Sequence, residues 1–208
     1  MSSRKVSYII LPVILLLVLV AVFRNSISAD SNNLGKPVST KTLTTSIDGK
    51  KTSFTLLKYK NENTDGFDFI LSKKNMIGGS TSLKLTGFEN DLNLCEEGNI
   101  KLADNSGYAV CLIGDAGVHS QNILLVKYFG GKLSNIKISG GETSGDNISS
   151  DVPNYNFVDR NDDGFLDLAV DLRNYDGDPI MESVRSYYKN SGSEFNFDGK
   201  ENITYNKN

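Results

Sequence analysis

The chain has 208 residues, 22 of them Lys or Arg and 25 Asp or Glu, for a formal charge of −3 at pH 7. All the acids but only 19 of the bases lie from Asp30 onward, so that part carries a formal charge of −6. This excludes a nucleic-acid binder, which must neutralise phosphates, and suits cations or basic protein surfaces. The first element is an apolar run from Tyr8 to Phe23, broken only by Pro12, with Arg4 and Lys5 before it and Arg24 after it. With its flanks the run reaches the lower limit of about 17 residues for a membrane-spanning helix, and it exceeds the roughly 7–15 of a signal-peptide core. Arg24 directly after the run argues for an uncleaved signal anchor. Cleavage after Ser28 or Ala29, where small residues lie, would instead release a secreted protein. Basic residues before the span place the N-terminus inside the cell and the rest on the extracytoplasmic side.

Residues 1–24 are thus read as a transmembrane helix. Residues 25–40, rich in Ser, Asn and Asp and containing Gly35 and Pro37, read as a flexible linker. Residues 41–208 form one domain, long enough for a proper core. No stretch of it carries a helical period, and its pattern predicts an all-β, antiparallel domain. Leu43–Ile47 and Ser53–Tyr59 flank Asp48-Gly49, a pair suited to the positive φ angles of a tight hairpin turn. Phe67–Leu71, Ser82–Thr86, Asn99–Leu102 and Tyr108–Ile113 follow as strands. Ile123–Phe129 and Leu133–Ile138 flank Gly130-Gly131, and the segment from Gly140 to Ser150 reads as a polar loop. The last set is Tyr155–Val158, Phe165–Leu172, Ser183–Lys189 and Glu194–Phe197. Strands at spacings of about 8–12 residues with turn signals between them predict a sandwich-like or propeller-like array.

Cys95 and Cys111 are the only cysteines. In an extracytoplasmic domain they are expected to pair, closing a loop of about 17 residues worth about 3 kcal/mol in the chain-entropy model; two buried free thiols are the alternative. The single histidine, His119, leaves too few partners for zinc. No nucleophile elbow, H-E-x-x-H or phosphate loop is present. The domain therefore reads as non-catalytic. A glycan or peptidoglycan hydrolase built on paired carboxylates is the rival reading. Asn147-Ile148-Ser149 and Asn202-Ile203-Thr204 are sequons that matter only in a glycosylating host.

The most specific signal is Asp159-Arg160-Asn161-Asp162-Asp163-Gly164-Phe165-Leu166-Asp167. Its D-x-N-x-D-G-x-x-D pattern is that of a calcium loop. Calcium takes about 6–8 oxygen ligands, and a coiled loop supplies them from alternate positions. Here these are the side chains of Asp159, Asn161, Asp163 and Asp167 and the Phe165 carbonyl, with Gly164 making the sharp turn. An all-oxygen set favours Ca2+ over zinc. The competing reading is a plain acidic surface turn, since Asp, Asn and Gly dominate turns. Asp65-Gly66, Asp176-Gly177 and Asp198-Gly199 are read as such turns. Position 12, where an EF-hand places a bidentate Glu, is Val170, and the flanks alternate as strands, so a structural calcium between two strands is expected.

Phe157-Val158-Asp159 through Asp167-Leu168-Ala169-Val170 resembles the F-x-D-x-N-x-D-G-x-x-D-L repeat of FG-GAP and VCBS-type β-propeller proteins. Ser186–Phe195 is similar to the strand, turn and Phe that follow it there. The resemblance covers about 45 residues, 154 to 198, in a single copy. Asn61–Phe69 is a faint echo that puts Phe69 where the ninth-position oxygen should stand, and it is rejected as a metal site. In layout the chain is similar to small extracytoplasmic flattened-propeller proteins related to bacterial lysozyme inhibitors. The resemblance implies a calcium-binding interaction module, with a protein or cell-wall partner such as a cell-wall hydrolase.

Overall fold

The structure is a computed structural model that describes residues 34–62, 66–75, 79–86, 88, 90–115, 120–141, 147–151, 155–173 and 182–204. The apolar run 8–23, most of the linker, His119, Asp176-Gly177 and the middle of the 140–150 loop lie outside them. Among the described residues no helix is long and apolar enough to cross a membrane. The domain is all-β, and its described residues form three sheets. The first is a meander of β1 (Ser39–Ile47), β2 (Lys50–Lys60), β3 (Phe67–Lys74) and β4 (Ser80–Leu85). Ile47 pairs with Lys50 around Asp48-Gly49, whose φ angles of 51° and 70° are the left-handed pair that this turn requires.

The middle sheet holds β5 (Leu92–Lys101), β6 (Tyr108–Asp115), β7 (Ser120–Phe129), β8 (Lys132–Asn135) and β10 (Asn147–Asp151). Its central strands read as unbroken apolar runs rather than alternating ones, and the packing explains why. On β6, Ala109 and Cys111 enter one core while Val110 and Leu112 enter another. On β7, Ile123 and Leu125 are set against Leu124 and Val126 in the same way. One core joins the middle sheet to Leu43, Phe54, Phe69 and Leu85 of the first. The other joins it to Phe157, Leu168, Tyr188 and Phe195 of the third. That third sheet runs β11 (Tyr155–Val158), β12 (Asp167–Arg173), β13 (Glu182–Asn190), β14 (Glu194–Thr204) and β9 (Lys137–Ser139). Its pairing is antiparallel except for β9 against β14.

Asp198-Gly199, read as a turn, lies inside β14 at a bulge, where Tyr187 pairs with Gly199 and Tyr188 with Phe197 so that the strand runs on. Three further details depart from the expected pattern. β5 starts at Leu92 rather than Asn99, because Leu94 pairs with Leu112 and Asn99 with Val110, leaving Cys95–Gly98 as a bulge opposite Cys111. That bulge carries the Cys95–Cys111 disulfide, with Cα atoms 5.4 Å apart. Its Gly98, at φ 70°, sits so close to β1 that a Cβ would lie 2.6 Å from Thr45 Oγ1. Second, Leu133–Ile138 is two strands: β8 pairs with β7, and after Ile136 the chain crosses to pair β9 with β14. Third, β10 lies within the expected 140–150 loop. Buried Ile148 anchors it in the second core while its backbone pairs with β7.

One end of the stack gathers the Asp48-Gly49 turn, the 102–107 turn, Gly130-Gly131 and residues 159–166. The opposite end holds Ser39, where β1 begins, and Thr204, which pairs with Glu182. At about 3.3 Å per residue, β1 separates the two ends by roughly 30 Å.

Candidate functional site

The loop between β11 and β12 is wound by its own side chains. Asp159 accepts the Asp163 N–H at 3.1 Å on one carboxylate oxygen and the Gly164 N–H at 2.8 Å on the other. Asn161 Oδ1 also faces the Asp163 N–H, at 3.3 Å, and its Nδ2 donates to Asp163 Oδ2 at 3.0 Å. Asp163 Oδ1 accepts the Phe165 N–H at 2.9 Å. Asp162 at φ 55° and Gly164 at φ 83° make the tight left-handed steps that turn the chain around these carboxylates. A Cβ on Gly164 would meet nothing, so that glycine is required by conformation and not by space.

The fourth side chain behaves differently. Asp167 opens β12 and is 2% exposed. Its Oδ1 accepts the Asn190 N–H at 2.8 Å. Burial pushes its carboxyl above the usual range and the nearby Asp163 charge adds to the rise, against the pull of the Asn190 and Arg160 backbone N–H groups. The loop thus draws Asp159, Asn161 and Asp163 together at its surface and turns Asp167 underneath them. Among the described residues no three His, Cys, Asp or Glu side chains stand as a ready metal cage. The donor set that faces the loop interior is nevertheless all oxygen. It is charged, and it is balanced only by backbone N–H groups and one amide, a chemistry that fits a hard cation.

Around the loop, Arg160 points outward, stacks 4.2 Å over the Tyr187 ring and binds Asp198 at 2.9 Å. Tyr187 donates to Glu201 at 2.5 Å. Arg185 grips Asp171 with Nε at 2.7 Å and Nη2 at 2.9 Å. The part that local pattern does not reveal is Asn190. It is 1% exposed, and its side chain donates to the Lys101 and Leu166 carbonyls and accepts from the Ala103 and Gly192 N–H groups. It thereby ties the loop to the 102–107 turn of the middle sheet. Gly192 makes this docking possible: a Cβ there would lie 2.2 Å from Asp104 Cγ. Lys101 completes the link, with its ammonium 5.8 Å above the Phe165 ring. In sequence Asn190 is only one polar residue of an Asn-Ser-Gly turn.

The rejected echo is built otherwise. Asp68 on β3 pairs with Lys84 at 3.0 Å, and Phe69 fills the first core. No known protein family, no curated protein and no solved structure matches the chain.

Proposed function

We propose that this chain is a non-catalytic, membrane-tethered interaction domain on the extracytoplasmic side, with a calcium ion held by the 159–167 loop. The observation that carries the reading is the wound loop itself. Three oxygen-bearing side chains converge there without a lysine or arginine among them to neutralise the acids. Asp159, Asn161, Asp163, Asp167 and the Phe165 carbonyl would hold the ion, and bound calcium would supply the positive charge that lets these carboxylates stay close together. The loop's sequence pattern and the three stacked sheets agree with a single FG-GAP or VCBS-type unit in a flattened, propeller-like layout.

A span at residues 8–23 would enter the domain at Ser39, so the loop and the turns beside it would face away from the bilayer. That is where a partner in the cell wall or on another protein would meet them.

The test is thermal melting of the full-length protein in millimolar calcium and in chelator. Calcium at a hundredfold excess over Kd should stabilise the fold by about 2.7 kcal/mol. Asp163→Ala should abolish the response and Asp68→Ala should keep it. Equal melting temperatures in calcium and chelator, with no heat on calorimetric titration, would reduce the loop to a turn. Release of soluble fragments from peptidoglycan by the wild-type protein would favour the hydrolase reading instead.

A further inference from the structure

We propose that the cleft between the first and middle sheets, at the same end as the loop, is a saccharide-binding site. The cleft measures about 410 Å³ and is lined by Ile47-Asp48 of the first sheet and, from the middle sheet, by Lys101, Asn105, Gly107-Tyr108 and Tyr128–Gly131. That size falls within the roughly 300–1,000 Å³ of small-ligand sites. Tyr108 and Tyr128 are direct cross-strand partners on β6 and β7, so their side chains rise next to each other from one face. Tyr128 is fixed by an edge-to-face contact with buried Phe54, ring centroids 5.3 Å apart. Tyr108 is fixed by the bond from its hydroxyl to the Asp48 carboxylate. Phe129 stands at the lip, 57% exposed, with part of its ring open to a ligand. Gly107 lets that lip fold down: a Cβ there would lie 2.4 Å from the Tyr128 carbonyl and 2.9 Å from Phe129 Cβ.

The ligand class follows from the mixture of groups. Rings offer flat apolar faces, and beside them stand an acceptor at Asp48 and both donor and acceptor at Asn105, with Lys101 also in the lining and its ammonium 5.8 Å from the Phe165 ring. A pyranose has the matching halves, C–H faces that stack on aromatic rings and hydroxyl edges that take hydrogen bonds. A purely apolar ligand would bury these polar groups unpaired, at a cost. A nucleic acid would meet a domain of formal charge −6. One carboxylate and one ammonium leave the cleft with no excess of either sign, which suits an uncharged sugar. The proposal deepens the reading of the domain as an interaction module. It rests on that reading for where the ligand is met, and not on the calcium loop.

The experiment uses full-length protein in a detergent without a sugar head group, in calcium. The chain has no tryptophan, so its near-ultraviolet spectrum reports the tyrosines. Titration with the β-1,4-linked tetramer of N-acetylglucosamine, and separately with cellotetraose, should give a saturable tyrosine difference spectrum with at least one of them. Phe129→Ala, a surface change whose folding is checked by melting, should weaken binding about tenfold, the worth of one aromatic stacking contact. Asp163→Ala should leave the sugar affinity in place. Absence of a saturable change with both sugars overturns the proposal, as does binding that neither Phe129→Ala nor Tyr128→Leu alters. Displacement of the bound sugar by an aromatic peptide that binds more tightly would assign the cleft to a protein partner and overturn it too. Loss of sugar binding alongside an intact calcium response in melting would count against the cleft alone. The reverse pattern would count against the metal loop alone.

Discussion

The two outer sheets lie on opposite faces of the same middle sheet, and both pack onto it with large apolar side chains. Their polar content differs. Among the described residues, the first sheet buries one charged group, Asp68, which Lys84 neutralises. The third buries Asp167, Asp171, Ser183, Ser186 and Asn190. Burying polar groups costs free energy unless each finds a partner, and the first sheet packs on the middle one with almost none. The third sheet's polar groups are therefore not needed to hold two sheets together. Asn190 and Asp167 bind the 159–167 loop from beneath and Asp171 pairs with Arg185, while the Ser183 hydroxyl is buried without a hydrogen-bond partner. What separates the two sheets is a loop held in one shape rather than a stronger core.

The sharpest way to break this comparison is to remove the tie. Asn190→Ala strands two carbonyls and two N–H groups in a buried place, so a loss of about 3–4 kcal/mol is expected in urea unfolding. Lys84→Met in the first sheet removes a half-exposed ammonium and leaves buried Asp68 with the Asn61 amide as a donor, so it should cost less, about 1–2 kcal/mol. Equal losses would mean that the two sheets carry their polar groups alike. Next in size is the bridge that staples the middle sheet on the third sheet's side. Replacing both Cys95 and Cys111 by Ala should lower stability by about 3 kcal/mol, read from the urea midpoint. Unreduced native protein should show no alkylatable thiol.

A smaller and more local effect concerns the loop itself. At a hundredfold excess of calcium over Kd, backbone amides of residues 160–166 should exchange about a hundredfold more slowly than in chelator. Amides of residues 52–58 on β2 of the first sheet should be unchanged. The smallest effect is a titration. The bond to Asp48 raises the Tyr108 phenol above its ordinary value of 10.0. The protonated phenol's stabilising contact is therefore fully present below that value and is lost as the pH climbs through the raised one. In absorbance titration, Asp48→Asn should move one late-ionising tyrosine back toward the ordinary range. Tyr155, raised mainly by burial, should stay late.

Much of the fold was legible before any coordinates, because its signals are local. Asp48-Gly49 and Gly130-Gly131 specify tight turns by backbone sterics alone, and both are found with positive φ. Period-2 stretches such as Ser53–Tyr59 declare a half-buried strand. Two cysteines in one domain suggested their own pairing. The misreadings also have physical causes. The start of β5 was hidden because the Cys95–Gly98 bulge breaks alternation. β10 was hidden because a strand with one buried residue, Ile148, looks like a polar loop until β7 offers it hydrogen bonds. β9 left its expected strand because a parallel partner more than fifty residues away was available, and no local pattern encodes that.

The same division holds for the site. Residue types and spacing along nine consecutive positions are enough to define the oxygen-rich loop, since coiling is a local property of Asx and Gly residues. They do not say that Asp167 turns under the loop, that Asn190 clamps it, or that Lys101 lies over Phe165, because these contacts join segments far apart in sequence, within the third sheet for Asp167 and Asn190 and across to the middle sheet for Asn190 and Lys101. The cleft is the clearest case. Ile47, Lys101, Tyr108 and Phe129 have no relation in the linear order. Only the packing of the first sheet against the middle one, driven by non-directional burial of apolar surface, brings them to one end of the molecule.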